Sequence, residues 1–219
     1  MTDKTDYSSE TAAQSYDRLL KFFQSPGAKD ETPIAHPDKG VEEMAQAQLH
    51  SFRKAAVLIP VTRLRDQASQ VVLTVRSENL KSHAGQISLP GGSMEPQDKN
   101  EIDTALRESH EEIGLHPKQV EVVGQLGELA LPSGFRVKPV VGIIENDLDF
   151  VACPIEVADI FTVPLDLILD PDAYRHTSMR FKDQQRAIVE LHFEDYRIWG
   201  ATAAILYHLA MVANDTRKF

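Results

Sequence analysis

Three glutamates crowd the short segment Arg107-Glu108-Ser109-His110-Glu111-Glu112-Ile113-Gly114-Leu115. A Gly-Gly pair and a polar stretch, Gly91-Gly92-Ser93-Met94-Glu95-Pro96-Gln97-Asp98, precede it. Hard divalent cations bind carboxylate oxygens and keep waters and phosphate oxygens as their other ligands. Glutamates at this spacing are a platform for such an ion, and the ion would serve phosphate chemistry.

The elements that must position them follow from periodicity. At about 100° per residue, Ile102, Ala105, Leu106, Ser109 and Ile113 fall in one narrow stripe suited to packing on a sheet. The spacing predicts a helix over about 99–113, with Gly114 as its C-terminal cap. Glu101, Glu108 and Glu112 lie on one flank of the stripe, and Glu111 stands beside Arg107 at i and i+4. A solvated acidic face has the same composition. Here, however, like charges repeat at i and i+4, and they sit near the helix C-terminus, where the macrodipole disfavours them. A sequence that breaks two local rules at once points to a functional site.

These residues resemble the Nudix box, G-x5-E-x7-R-E-U-x-E-E-x-G-U with U apolar. One extra residue lies between Gly92 and Arg107, Asp98 stands where the first Glu is expected, and Ser109 replaces an apolar residue. The R-E-x-x-E-E-x-G-L half is intact. Upstream, Val72-Leu73-Thr74-Val75-Arg76-Ser77, Lys81, Gly85 and Leu89-Pro90-Gly91-Gly92 resemble the motif L-L-T-x-R-S-x3-R-x3-G-x3-F-P-G-G. That motif marks the coenzyme A pyrophosphatase branch of the Nudix hydrolase superfamily. Lys81 replaces Arg, which keeps the charge and loses the bidentate fork. Members of this branch can carry the same one-residue extension. The likeness spans roughly residues 50–212.

The resemblance implies an α/β fold, a Nudix-type α/β/α sandwich with a mixed sheet. It implies divalent-metal-dependent hydrolysis of the diphosphate bond of coenzyme A or acyl-coenzyme A. Glu108, Glu111 and Glu112 would hold Mg2+ or Mn2+, one of them also orienting the attacking water, and Arg107 would orient a box carboxylate. Arg76, Lys81 and His83 would meet the 3′-phosphate or the diphosphate, while Gly85, Gly91 and Gly92 allow close backbone approach. Asp98 is either a partner of Arg107 or a helix N-cap. Glu156, after Pro154, is a catalytic base or a helix start. Trp199 reads as a core aromatic. Two alternatives stay open: a Nudix hydrolase for another diphosphate (a nucleotide sugar, ADP-ribose or a nucleoside triphosphate), and a non-catalytic domain that senses such a ligand.

Composition fits one soluble domain with an extra segment: 219 residues, 42% hydrophobic and 26% charged. One cysteine, Cys153, excludes an intramolecular disulfide. No apolar run reaches about 18 residues, so no membrane span is expected. The N-terminus resembles no export signal and the C-terminal Thr216-Arg217-Lys218-Phe219 is no peroxisomal address, so a cytoplasmic protein is expected. A net charge of −10 argues against a nucleic-acid groove. A metal-dependent site escapes that argument, because its cations invert the local charge.

Residues 1–45 read as an N-terminal extension and 46–219 as the catalytic domain. Within the extension, residues 1–9 should fray. Tyr16, Leu19, Leu20 and Phe23 give Thr11–Phe23 a short amphipathic helix, ended at Ser25-Pro26-Gly27, and 27–41 reads as a linker. The helix suits either the catalytic domain or a second subunit of a homodimer. Strands are expected at 55–62 and 71–75, joined by the loop Arg65–Gln70, then near 120–130, 136–145 and 189–193. Residues 159–169 should mix a short helix with a turn at Val163-Pro164-Leu165, and Ala201–Ala213 should form a final helix.

Overall fold

Within Arg53–Thr62 the run Ala55–Val61 is apolar at every position, the pattern of a strand covered on both faces. Arg53–Thr62 forms β1 and sits at the centre of the main sheet. The structure, a computed structural model, describes residues 9–25, 32–64, 68–80, 82–181 and 183–215. On one side β1 runs parallel to Phe135–Ile144; on the other it runs antiparallel to Gln70–Arg76. In chain order the strands are β2 (Gln70–Arg76), β3 (Ile87–Ser88), β4 (Gly91–Ser93), β5 (Glu121–Gln125), β6 (Leu129–Leu131), β7 (Phe135–Ile144) and β8 (Val157–Pro164). The sheet runs β3-β2-β1-β7-β5, with β4 on β1, β6 on β7 and β8 on β2. One parallel pair among antiparallel ones makes it mixed, as expected.

Alternate residues of these strands face opposite layers. Ala56, Leu58, Val72, Val140 and Ile144 pack with Ala105 and Ile113 of the box helix, α3 (Glu101–Ile113). Ile59, Val61, Val71, Leu73, Val141 and Ile143 belong to the larger core on the other face. There they meet α1 (Ser9–Gln24), α4 (Leu165–Ile168) and α5 (Gly200–Ala213). A second, three-stranded antiparallel sheet completes that layer: β9 (Arg175–Phe181), β10 (Gln184–Phe193) and β11 (Tyr196–Trp199). Helices on both faces of a mixed sheet are the α/β/α arrangement anticipated above.

The predicted N-terminal helix is α1. Tyr16, Leu19 and Phe22 are buried in the larger core, so α1 docks on its own chain. The predicted linker is partly structured. Ile34 is buried and bridges Leu129, and α2 (Lys39–Gln48) starts inside the predicted range, capped by the Asp38 carboxylate on the Val41 amide at 3.1 Å. Of residues 1–9, predicted to fray, Ser9 instead begins α1 and 1–8 lie outside the described residues, as do Pro26, Gly27, 65–67 of the predicted loop and the C-terminal 216–219.

Two further readings are corrected. Residues 159–164 are strand, the later part of β8, because they pair with β2 from Val163↔Val71 to Asp159↔Val75; only 165–168 are helical. The strand expected near 120–130 is two strands. Gly127 lies so close to the Thr32 carbonyl that a Cβ there would stand 1.9 Å from it, and the chain breaks its pairing at that crossing.

Candidate active site

The box helix starts and stops by local chemistry. The Asn100 carboxamide oxygen accepts the Asp103 amide at 2.9 Å as N-cap. Gly114 takes φ 72°, which only glycine adopts freely, and its N–H returns to the His110 carbonyl. Ser109 fits a buried slot where an apolar residue is usual because its Oγ donates to the Ala105 carbonyl at 2.6 Å. This fixes the rotation of α3 and sends Glu108 and Glu112, one turn apart, toward β4.

β4 is pinned to β1 by the pairs Ala56↔Gly92 and Val57↔Gly91. The Gly91 amide donates to Glu112 Oε2 at 3.1 Å. A Cβ on Gly92 would stand 2.5 Å from the Glu108 carboxyl carbon, and one on Gly91 would stand 2.3 Å from the Ala56 carbonyl oxygen. The two glycines are therefore what allow two carboxylates and a backbone strand to meet.

Glu112 is 3% exposed. Burial pushes its carboxyl up to about 7; the Gly91 amide and the Arg76 charge oppose the rise, and Glu156 and Glu108 add to it. Burial raises Glu108 as well, against the pull of Arg107.

Arg107 organises the remaining acids. Its Nε and Nη2 fork onto Asp98 at 3.0 Å each, and Nη2 also donates to the Ser93 carbonyl at 3.1 Å. Its Nη1 lies 3.0 Å from Glu108 Oε1 and 2.9 Å from Glu111 Oε2. Asp98 is thus the partner of Arg107, and Asn100 is the N-cap. Asp98 also accepts Glu95 N–H and Thr104 Oγ1, and the Arg107 fork holds its carboxyl down at about 2.

Two groups from elsewhere in the chain join this centre. Arg76 ends β2 at a register shift between Val75 and Arg76. Its charge acts on Glu112, and its buried Nε has no hydrogen-bond partner within the protein. Glu156 stands on the turn before β8, and its charge acts on both Glu108 and Glu112. That turn is tied to the site by Ser77 N–H to the Glu156 carbonyl and Cys153 N–H to the Glu112 carbonyl, both 2.8 Å. A strand follows Glu156, so the helix-start reading of this residue fails.

Gly85 takes φ 69° in the exposed β2–β3 loop, and its N–H closes onto the Arg76 carbonyl at 3.0 Å. His83, exposed in the same loop, holds Gln86 Oε1 through Nδ1 at 2.8 Å. Lys81 lies outside the described residues. Trp199 is half-buried, with the Arg197 guanidinium 5.7 Å from its ring centre, so it is less enclosed than a core aromatic.

Among the described residues no three His, Cys, Asp or Glu side chains already form a metal cage. Glu111 is turned outward onto Arg107, its side chain 58% exposed. The donors present are nevertheless those a hard divalent cation takes. Glu112, a buried carboxylate whose one hydrogen bond here comes from the Gly91 amide, fits a cation better than it fits its present surroundings.

Residues 52–176 match the NUDIX domain profile. The chain is 40% identical over 158 residues to the Nudix hydrolase NudL of Photorhabdus laumondii, a protein described as uncharacterised; this covers 72% of this chain and 83% of that one. It is also 40% identical over 161 residues to NudL of Escherichia coli K12, covering 74% and 83%. A solved Nudix hydrolase of M. smegmatis, RenU, superposes with a TM-score of 0.51 at 21% identity over 73% of this chain and 84% of that one; this likeness concerns the fold. No helix among the described residues is long and apolar enough to cross a membrane.

Proposed function

The chain belongs to the Nudix family and is a hydrolase, and from that premise we propose that it cleaves the diphosphate of coenzyme A or acyl-coenzyme A. The products are 3′,5′-ADP and (acyl-)4′-phosphopantetheine. The observation that carries the reading is the meeting of Glu108 and Glu112 with the Gly91-Gly92 strand. The choice of coenzyme A rests on the spacing from Leu73 to Gly92.

Glu108, Glu112 and, after turning from Arg107, Glu111 are the ligands for Mg2+ or Mn2+. When bound, the metal neutralises phosphate charge and acidifies water. The chain does the rest. Arg107 sets the carboxylates of Glu108 and Glu111, and Asp98 sets Arg107. Arg76, whose buried Nε has no hydrogen-bond partner within the protein and whose charge acts on Glu112, binds a diphosphate oxygen. Glu156 takes the proton of the attacking water. The water oxygen bonds to one phosphorus, the bridging P–O bond breaks, and the bridging oxygen leaves on the other phosphate. Lys81 and His83 bind the 3′-phosphate, Gly85 gives the turn after His83, and the protein acts in the cytoplasm.

A substrate panel with magnesium or manganese, with products identified by mass, tests this. Release of 3′,5′-ADP from coenzyme A is the expected result. Faster cleavage of ADP-ribose, a nucleotide sugar or a nucleoside triphosphate replaces the substrate. Tight binding without turnover of any of them makes the domain a sensor.

A further inference from the structure

The residues after β7 alternate in a way the fold does not require. Leu148, Phe150 and Ala152 turn inward and pack on the core beneath α3. Val151 and Ile155 turn outward and are 70% and 72% exposed. Single exposed apolar side chains are common and need no explanation. These two are different in place. The other exposed large apolar side chains among the described residues, Met44 and Met211, lie on α2 and α5, away from the carboxylates. Val151 and Ile155 share one short loop with Glu156.

The loop is also fixed. Val151 N–H donates to the Ile113 carbonyl at 3.0 Å, Cys153 N–H to the Glu112 carbonyl at 2.8 Å, and Glu156 N–H to the Cys153 carbonyl at 3.0 Å. A Cβ on the capping Gly114 would stand 3.5 Å from Val151 Cβ. Both apolar side chains are therefore presented to solvent on the same hydrogen-bonded frame that holds the catalytic carboxylates. We propose that Val151 and Ile155 are an apolar wall of the substrate site, selecting diphosphate esters that carry an extended, uncharged apolar arm.

This rests on the hydrolase reading of the carboxylate centre and specifies which substrates it prefers. A diphosphate has two arms, and the proposed function assigns the 3′-phosphate arm to the β2–β3 loop. The wall lies on the α3 C-terminal side of the carboxylates, where the other arm can run. Asp147, Asp149 and Glu156 lie on the same segment of chain, so an anionic arm is disfavoured and a neutral chain is accepted. Contact with a methylene chain removes apolar surface of both partners from water, and this gain grows with chain length.

The test uses the full chain and the double variant Val151→Ser/Ile155→Ser, whose sites are exposed and whose fold is checked by thermal unfolding. kcat/KM is measured with magnesium on coenzyme A and on its acetyl, octanoyl and lauroyl thioesters, and size-exclusion chromatography is run on both proteins. In the wild type kcat/KM should rise with chain length, and in the variant the octanoyl-to-acetyl ratio should fall about tenfold. An unchanged ratio, or wild-type rates independent of chain length, overturns the wall and leaves the hydrolase reading standing. An equal loss on every substrate together with a change of oligomeric state makes the loop a subunit contact and also overturns it. Failure of the wild type to cleave any coenzyme A species, while another diphosphate is cleaved, removes the substrate reading and the wall with it.

Discussion

Arg107 grips Asp98 with two parallel hydrogen bonds, Nε to Oδ1 and Nη2 to Oδ2, each 3.0 Å long. The Asp98 side chain is 3% exposed, so this ion pair is shielded from water on one side, unlike a surface pair. It also sets the arginine that holds Glu108 and Glu111. The pair therefore links stability to the site.

Asp98→Asn is expected to lower unfolding free energy by about 2 kcal/mol at pH 7. The folded carboxyl titrates at about 2, below its unfolded value. The stabilisation is therefore complete above the unfolded pKa and disappears as pH falls through about 2. Urea unfolding of both proteins should give a constant gap from pH 5 to 8 that narrows below about pH 4. A gap that widens with acid would mean the fork is not what holds Asp98.

Glu112→Gln should reduce turnover by about 10²–10³-fold, the usual loss for one preorganised electrostatic group. It should not lower the melting temperature. The fold disfavours the ionised form of this side chain, raised to about 7 by burial, and an amide relieves that cost. Glu156→Gln, at an exposed position, should match the wild type in stability and lose about 10²-fold or more in kcat if it takes the proton of water. Turnover within a few-fold of wild type at limiting magnesium would remove the substituted residue from the chemistry.

Arg76 and Lys81 both precede the Gly-Gly turn, and in the sequence Arg76 has the stronger case because it follows a strand and matches the motif, where Lys81 replaces Arg. Arg76 acts on Glu112, whereas Lys81 lies outside the described residues. Arg76→Gln should therefore weaken coenzyme A and dephospho-coenzyme A equally, by roughly 10- to 100-fold in kcat/KM. Lys81→Gln should instead narrow the difference between those substrates. Steady-state kinetics on the pair of substrates decides, and a selective loss with Arg76→Gln would move the 3′-phosphate to that residue.

What could be read beforehand followed from local signals. The box helix, predicted over about 99–113 and found at Glu101–Ile113, has an apolar stripe and caps at both ends. The buried strands β1, β2 and β7 carry the apolar runs Ala55–Val61, Val71–Leu73 and Pro139–Ile144. β9, Arg-His-Thr-Ser-Met-Arg-Phe, has no such period and is a strand because β10 pairs along it. α2 was hidden by Pro33 and Pro37; the pair Pro37-Asp38 ahead of it is a helix-start signal that reads equally well as linker. Arg76 stands at a register shift in the β2–β8 pairing, which no spacing in the sequence encodes.

The N-terminal helix gives the last prediction, and here structure changes the expectation. From sequence, a protein beginning near Val41 should fold with a modest loss. Yet Leu19 is fully buried, Phe22 is 4% and Tyr16 6% exposed, and Ile34 is 3% exposed against Leu129. Each buried side chain of this size contributes about 1.5–3 kcal/mol. Four of them rival the whole stability of a typical domain, about 5–15 kcal/mol. The truncated protein should therefore be unfolded or aggregated at 25 °C. The milder Leu19→Ala should stay folded with a loss of about 2–5 kcal/mol, read from urea unfolding with an unchanged slope, and with kcat little altered because α1 packs on the face opposite α3. A truncation that melts cooperatively near the wild-type temperature would show that the domain closes its core without this helix.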